Sequence, residues 1–103
     1  MNSPHWTERL RHFLPEILEI RRHLHAHPEL SGEEYLTAAL VAEDLRRNGW
    51  YVREGVGRTG VVGELGIRDG APLVGLRVDM DALPVEELTG LSYSSNREGV
   101  MHA

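Results

Sequence analysis

The chain is predicted to be α/β, two helices followed by strands, and three observations carry that expectation. Apolar residues recur at helical spacing through the first half, at Leu10, Phe13, Leu14, Ile17, Ile20 and Leu24 and again at Leu36, Leu40, Val41 and Leu45. The second half changes to short β-branched and aliphatic runs separated by glycines. One of these runs, Leu73 to Val78, delivers two carboxylates, Asp79 and Asp81, onto the start of a loop, and ligands of α/β proteins gather outside the carboxyl ends of strands. Helices that precede strands in this way open a layered α/β or α+β structure.

In chain order, Ser3-Pro4 supplies an N-cap and a first helical residue. Pro15 falls inside the first helical pattern and should kink it or begin a second helical piece. The helix should end before His27-Pro28, because a residue preceding proline is disfavoured in helical geometry. Ser31-Gly32-Glu33-Glu34 matches a capping box for the second helix, with Ser31 as N-cap and Glu34 reaching back to its amide, and Asn48-Gly49 supplies the stop. Three strands are expected, a short one over 50–53, then 60–65 and 73–78. The last two flank Arg68-Asp69-Gly70, whose Asp-Gly pair predicts a hairpin turn. Beyond Pro84 the pattern reads as a loop or a short helical turn through Glu86, Glu87 and Leu88.

The 103 residues suit one small domain. Hydrophobic residues at 41% and charged residues at 26% are ordinary for a globular protein. The balance of 11 basic against 16 acidic residues, −5 overall, provides no Lys/Arg stripe to follow a phosphate backbone, which argues against a nucleic-acid partner. Cysteine is absent, so neither a disulfide framework nor a thiolate metal site can form within these residues. The start of the chain lacks the basic-then-apolar pattern of a signal peptide, and no apolar run approaches the roughly 20 residues that span a bilayer. The expectation is a cytoplasmic protein without a membrane partner.

Several residues could carry chemistry. Asp79 and Asp81, one residue apart at a strand end, can coordinate a metal, orient a histidine ligand or act as general acid or base; equally, aspartate terminates strands and caps turns. His23 and His27 stand four apart, as in zinc proteases of the His-Glu-x-x-His type, but Leu24 holds the place of the glutamate. The alternative for His23, His25 and His27 is that they sit at a helix C-terminus and bond to its free carbonyls. His102, near the chain end, is expected in solvent and receives no ligand role. The stretch Gly55-Val56-Gly57-Arg58-Thr59-Gly60 lacks the phosphate-loop pattern and reads as a turn between strands. Arg77 could meet a substrate carboxylate or pair with Asp79 or a nearby glutamate.

Three motifs in order, His25-Ala26-His27-Pro28-Glu29-Leu30-Ser31 with Glu33-Glu34 following, Asp79-Met80-Asp81-Ala82-Leu83-Pro84, and Gly99-Val100-Met101-His102-Ala103, resemble the amidohydrolase branch of the M20 metallopeptidases. The resemblance runs from about Arg21 to the last residue. It implies an α/β catalytic domain with a mixed central sheet, of which residues 1–103 would be the N-terminal portion, and a lid or dimerisation domain not contained in them. It further implies hydrolysis of the amide bond in N-acyl amino acids by two divalent ions, zinc, manganese, cobalt or nickel, that share a bridging water, with a glutamate as general base. Many members carry His-x-Asp at the strand end, the histidine as ligand. Asp79 takes the histidine position and Asp81 the aspartate position, so auxiliary roles are implied for both, with one that steadies a ligand for Asp81. The metal ligands themselves would be a cysteine and a histidine just after Ala103, with none inside the chain. The isolated 103-residue chain is therefore expected to be inactive and to bind no metal stably, while the whole protein would act on a small N-acyl amino acid and could be a homo-oligomer. The competing expectation is a non-catalytic interaction module or subunit built on the same fold.

Overall fold

A computed structural model describes residues 4–103; Ser3, the proposed N-cap of the first helix, lies outside the described residues. Helix α1 spans Pro4–Ala26 and helix α2 spans Tyr35–Arg47; strands β1, Tyr51–Val56, and β2, Gly60–Glu64, follow. The order of helices before strands is the one the periodicity predicts. Helix α1 runs as one element through Pro15, so no second helical piece begins there. It ends at Ala26, just ahead of His27-Pro28, as the geometry before a proline requires.

The start of α2 departs from the capping-box expectation. Its N-cap residue is Glu34, and the Ser31 side chain takes no part. The amides of Leu36 and Thr37 instead donate to the Glu29 carboxylate, at 3.1 and 2.6 Å, and the Thr37 hydroxyl adds a bond of 2.6 Å. A carboxylate from six residues before the first helical residue thus satisfies two of the amides a helix N-terminus leaves unpaired, where negative charge is favoured by the helix dipole. Glu34, buried, does bend back, but to the Gly32 amide at 2.9 Å, and its other oxygen accepts from the Thr59 hydroxyl at 2.5 Å. It ties the loop before α2 to the hairpin turn. The end of α2 is as predicted. Gly49, at φ 85°, lets its amide reach Arg46 O and the Trp50 amide reach Leu45 O, a Schellman closure.

Strands β1 and β2 form an antiparallel hairpin with Tyr51 opposite Glu64 and Arg53 opposite Val62, and a bulge between Arg53 and Val56 shifts the register by one residue. Its turn is the glycine-rich stretch 55–60, as predicted. Here Arg58 holds φ 86°, an uncommon conformation for a residue with a side chain, and a Cβ on Gly60 would collide with the Val56 carbonyl oxygen. The hairpin predicted around Asp69-Gly70 does not form. Residues 65–81 make no ladder, and Leu73 to Val78 runs as unpaired chain. The turn chemistry is present, since Gly70 has φ 76°, but a local turn does not by itself set strand register, and the second edge of β2 is left unpaired.

Helix α2 packs across the hairpin. Gly63 lies so close beneath it that a Cβ there would come within 3.1 Å of both Leu45 and Trp50. Beyond the hairpin the chain makes two single bridges, Leu30 of the connection between α1 and α2 with Ala82 in parallel and Leu83 with Met101 antiparallel. Among the described residues the buried apolar positions are Ala38, Ala42, Ala82 and Val100, and no large side chain is fully enclosed. The apolar stripe of α1, at Leu10, Phe13, Leu14 and Ile17, is about half exposed or more.

Removing the Glu29 cap should cost about 1–2 kcal/mol of stability, the usual value of an N-terminal cap. Burial and the charge of Glu34 work to raise the Glu29 pKa, but the Thr37 hydroxyl and the Thr37 and Leu36 amides outweigh them and hold it below the ordinary glutamate value. A carboxylate depressed in the folded state stabilises above its unfolded pKa, near 4.3, and loses that contribution as pH falls through the lower folded value. Glu29→Ala should therefore lower the thermal midpoint at pH 7 and bring it close to that of the wild type in strong acid. Melting curves followed by circular dichroism from pH 7 to pH 2 check this, and a constant difference across the range would sink the assignment.

Candidate functional site

Asp79 and Asp81 lie two apart on the extended segment that closes with the Leu30–Ala82 and Leu83–Met101 bridges. The Ala82 amide donates to Glu29 O at 2.8 Å, and Leu83 and Met101 exchange two backbone bonds of 2.9 and 3.0 Å. The C-terminal motif is thereby laid beside the extended segment that carries the carboxylates. Asp79 is exposed and pairs with the Arg77 guanidinium at 3.2 Å, a solvated contact of little energetic weight. Asp81 is half-buried and lies near enough to His102 for its charge to favour the protonated imidazole. Burial and the neighbouring His25 act more strongly in the opposite sense, and the His102 pKa is lowered.

His102 is thus not the solvated terminal residue that its position in the sequence suggests. Its Nε2 is buried and has no hydrogen-bond partner among the described residues. His102, His25 and Asp79 line the same groove, of about 1000 Å3, whose other walls include Leu24 of α1, Leu45 of α2 and Val62 of β2.

The three histidines around the end of α1 do not converge. His27 donates from Nδ1 to His23 O at 2.8 Å, the helix-end role foreseen for the group, and its ring stacks on His23 with centroids 4.4 Å apart. His25 turns away to the Glu87 carboxylate, 3.0 Å from both oxygens, in a contact that buries both side chains. Glu87 also accepts from the Thr89 hydroxyl and, at 2.7 Å, from the Ser95 amide. The Thr89 hydroxyl, the Ser95 amide and His25 together hold its pKa down to about 2 against the effect of burial. Sequence reasoning leaves Glu87 in a polar loop, because nothing local marks a glutamate whose partner lies 62 residues away.

Among the described residues no three His, Asp or Glu side chains gather where they could hold a metal ion. Of the histidines that line the groove, His25 has its Nε2 committed to Glu87. These residues by themselves do not fit a metal centre. Among the described residues, no helix is long and apolar enough to cross a membrane.

No protein-family model matches the chain. Individual relatives do. It is 58% identical over 91 residues to the Synechocystis sp. protein named "Probable hydrolase sll0100", an alignment that covers 87% of this chain and 23% of that protein. It is 47% identical over 97 residues to the hippurate hydrolase of Campylobacter jejuni, covering 87% of this chain and 25% of the relative. Its fold superposes on the Bacillus subtilis YXEP protein, a dinuclear metal-binding peptidase of the M20 family, with a TM-score of 0.81 at 34% identity, over 89% of this chain and 26% of that one. The chain spans about a quarter of the length of the relatives it matches. Sequence identity along nearly the whole of its length and the same fold place the chain in the M20 metallopeptidase and amidohydrolase family, as a partial match to its longer members.

Proposed function

We propose that this chain is the N-terminal portion of the catalytic domain of a metal-dependent hydrolase that cleaves the amide bond of N-acyl amino acids. The observation that carries the reading is the juxtaposition of the extended Asp79–Asp81 segment with the His102 segment across the Leu83–Met101 bridge, in a chain 47% identical over 97 residues to a hippurate hydrolase. Two motifs that the sequence separates by some twenty residues meet at one place, and both belong to the family resemblance. Asp81, half-buried beside His102, would steady a neighbouring ligand or reacting group through its carboxylate. Asp79, exposed and salt-bridged to Arg77, would have an auxiliary electrostatic role. Two divalent ions would supply the activated water and polarise the amide carbonyl when bound, held by residues other than the clusters described above. The family's lid or dimerisation domain would lie outside these residues.

The test uses a protein that contains this chain within a full-length M20 framework. Purified with manganese or zinc and given N-acetyl amino acids and hippurate, it should release free amino acid, and a chelator should abolish the release. Activity on unblocked dipeptides alone, with none on N-acyl amino acids, would contradict the substrate class.

A further inference from the structure

The His25–Glu87 contact is the one ion-pair geometry among the described residues with both side chains enclosed, at 10% and 5% exposure. It joins the last turn of α1 to the loop after Pro84, and Glu87 adds the Ser95 amide and the Thr89 hydroxyl from the same loop. A second tie of that loop, Asn96 N–H to Ala26 O at 2.9 Å, lands on the residue next to His25. Past it, Val100 is buried and Met101 pairs with Leu83, two residues beyond Asp81. The path from the His25–Glu87 contact to the two candidate aspartates is therefore short and continuous.

Stability alone is a poor reason for such a contact. Enclosing polar side chains costs desolvation that their mutual contact roughly returns, and well-packed apolar side chains of similar volume serve as well or better. What the pair supplies in addition is direction. Three donors, His25 Nε2, the Thr89 hydroxyl and the Ser95 amide, converge on one carboxylate and fix how the loop sits on the helix end, and with it where His102 and Asp81 stand.

We propose that His25 and Glu87 are positioning residues for the hydrolytic centre. They hold the 84–99 loop on the end of α1 and so set the extended Asp79–Asp81 segment and His102 in one arrangement, with the buried Nε2 of His102 placed to take a single polar partner of that centre. The proposal rests on the amide-hydrolase reading above.

The experiment compares His25→Ala, His25→Gln and Glu87→Ala in the full protein containing this chain, with Gly49→Ala at the end of α2 as a destabilised control remote from the contact. The alanine variants should lose 10- to 100-fold in kcat on an N-acetyl amino acid, the usual scale for removing a partner that orients a site, with KM changed less than about threefold. His25→Gln, whose amide can still donate to the carboxylate, should recover most of the loss. Amide hydrogen exchange at Leu83 and Met101 should quicken at least about tenfold in the alanine variants and stay unchanged in Gly49→Ala. Alanine variants that melt earlier but keep kcat, or that leave exchange at Leu83 and Met101 unaltered, would overturn the proposal. A wild-type protein inactive on every N-acyl amino acid would sink the functional reading, and the exchange measurement would still decide whether the contact sets the geometry of the two segments.

Discussion

A purified polypeptide of these 103 residues should release no free amino acid from hippurate or from N-acetyl amino acids above the uncatalysed rate, with zinc, manganese, cobalt or nickel supplied. Amide hydrolysis demands stabilisation of a developing oxyanion and an activated water in a site from which bulk solvent is excluded. The described residues offer neither. Asp79, its side chain 72% exposed, spends its charge on a solvated contact with Arg77. His25, the most enclosed imidazole, has its Nε2 bound to Glu87. No three ligating side chains meet among the described residues, so an added ion finds only weak, wet, pairwise contacts. Amine release followed by chromatography checks this. Turnover abolished by a chelator would mean that a working centre assembles from these residues alone and that the candidate-site geometry is wrong. Inactivity in a folded, monodisperse polypeptide would instead favour the interaction-module alternative.

What was legible in the sequence was whatever depends on near neighbours. The 3.6-residue spacing from Leu10 to Leu24 and from Leu36 to Leu45 gives α1 and α2, and Asn48-Gly49 stops α2, because periodicity and a left-handed glycine act within a turn or two. The glycine-rich stretch 55–60 reads correctly as a turn for the same reason. The misreadings are competitions decided at longer range. Ser31 and Glu34 have the right spacing for a capping box, yet Glu29 reaches the amides of Leu36 and Thr37 first, and Thr59 claims Glu34 from 25 residues away. Asp69-Gly70 turns as its residues dictate, yet residues 73–78 make no ladder and the second edge of β2 stays unpaired. His25 reads as one of three helix-end histidines, and only the fold pairs it with Glu87. Asp79 and Asp81 stand out in the pattern, but the strand expected ahead of them runs as unpaired chain, and their alignment with His102 depends on the Leu83–Met101 bridge, which no local signal announces.

The same polypeptide should bind an apolar dye such as ANS and self-associate with rising concentration. Leu73, Val74, Leu76 and Val78 are between 75% and 91% exposed on an extended segment with no ladder partner, and β2 pairs with β1 alone. Unpaired strand backbone beside exposed aliphatic side chains is a template for another chain. The scale is large. Burying a single Val or Leu side chain is worth roughly 1.5–3 kcal/mol, so four left uncovered forgo about 6–12 kcal/mol, comparable to the roughly 5–15 kcal/mol that holds a typical domain folded. Helix α1 adds to the deficit, since its apolar stripe also faces outward along its first half. In a longer chain, strands laid against the groove between β2 and Leu73–Val78 would recover that energy, so dye binding should fall when such a chain is compared with the 103-residue polypeptide. Replacing Val74 and Leu76 by lysine should suppress association at least severalfold without altering the α2–hairpin unit, whose contacts lie at Leu45, Trp50 and Gly63. Sedimentation over a concentration series, with far-ultraviolet circular dichroism as the folding control, measures both effects. A wild-type polypeptide that stays monomeric at high concentration, excludes the dye and unfolds in one cooperative step would show that the edge is covered by the chain itself. The unpaired course of residues 73–78 would then have to be abandoned.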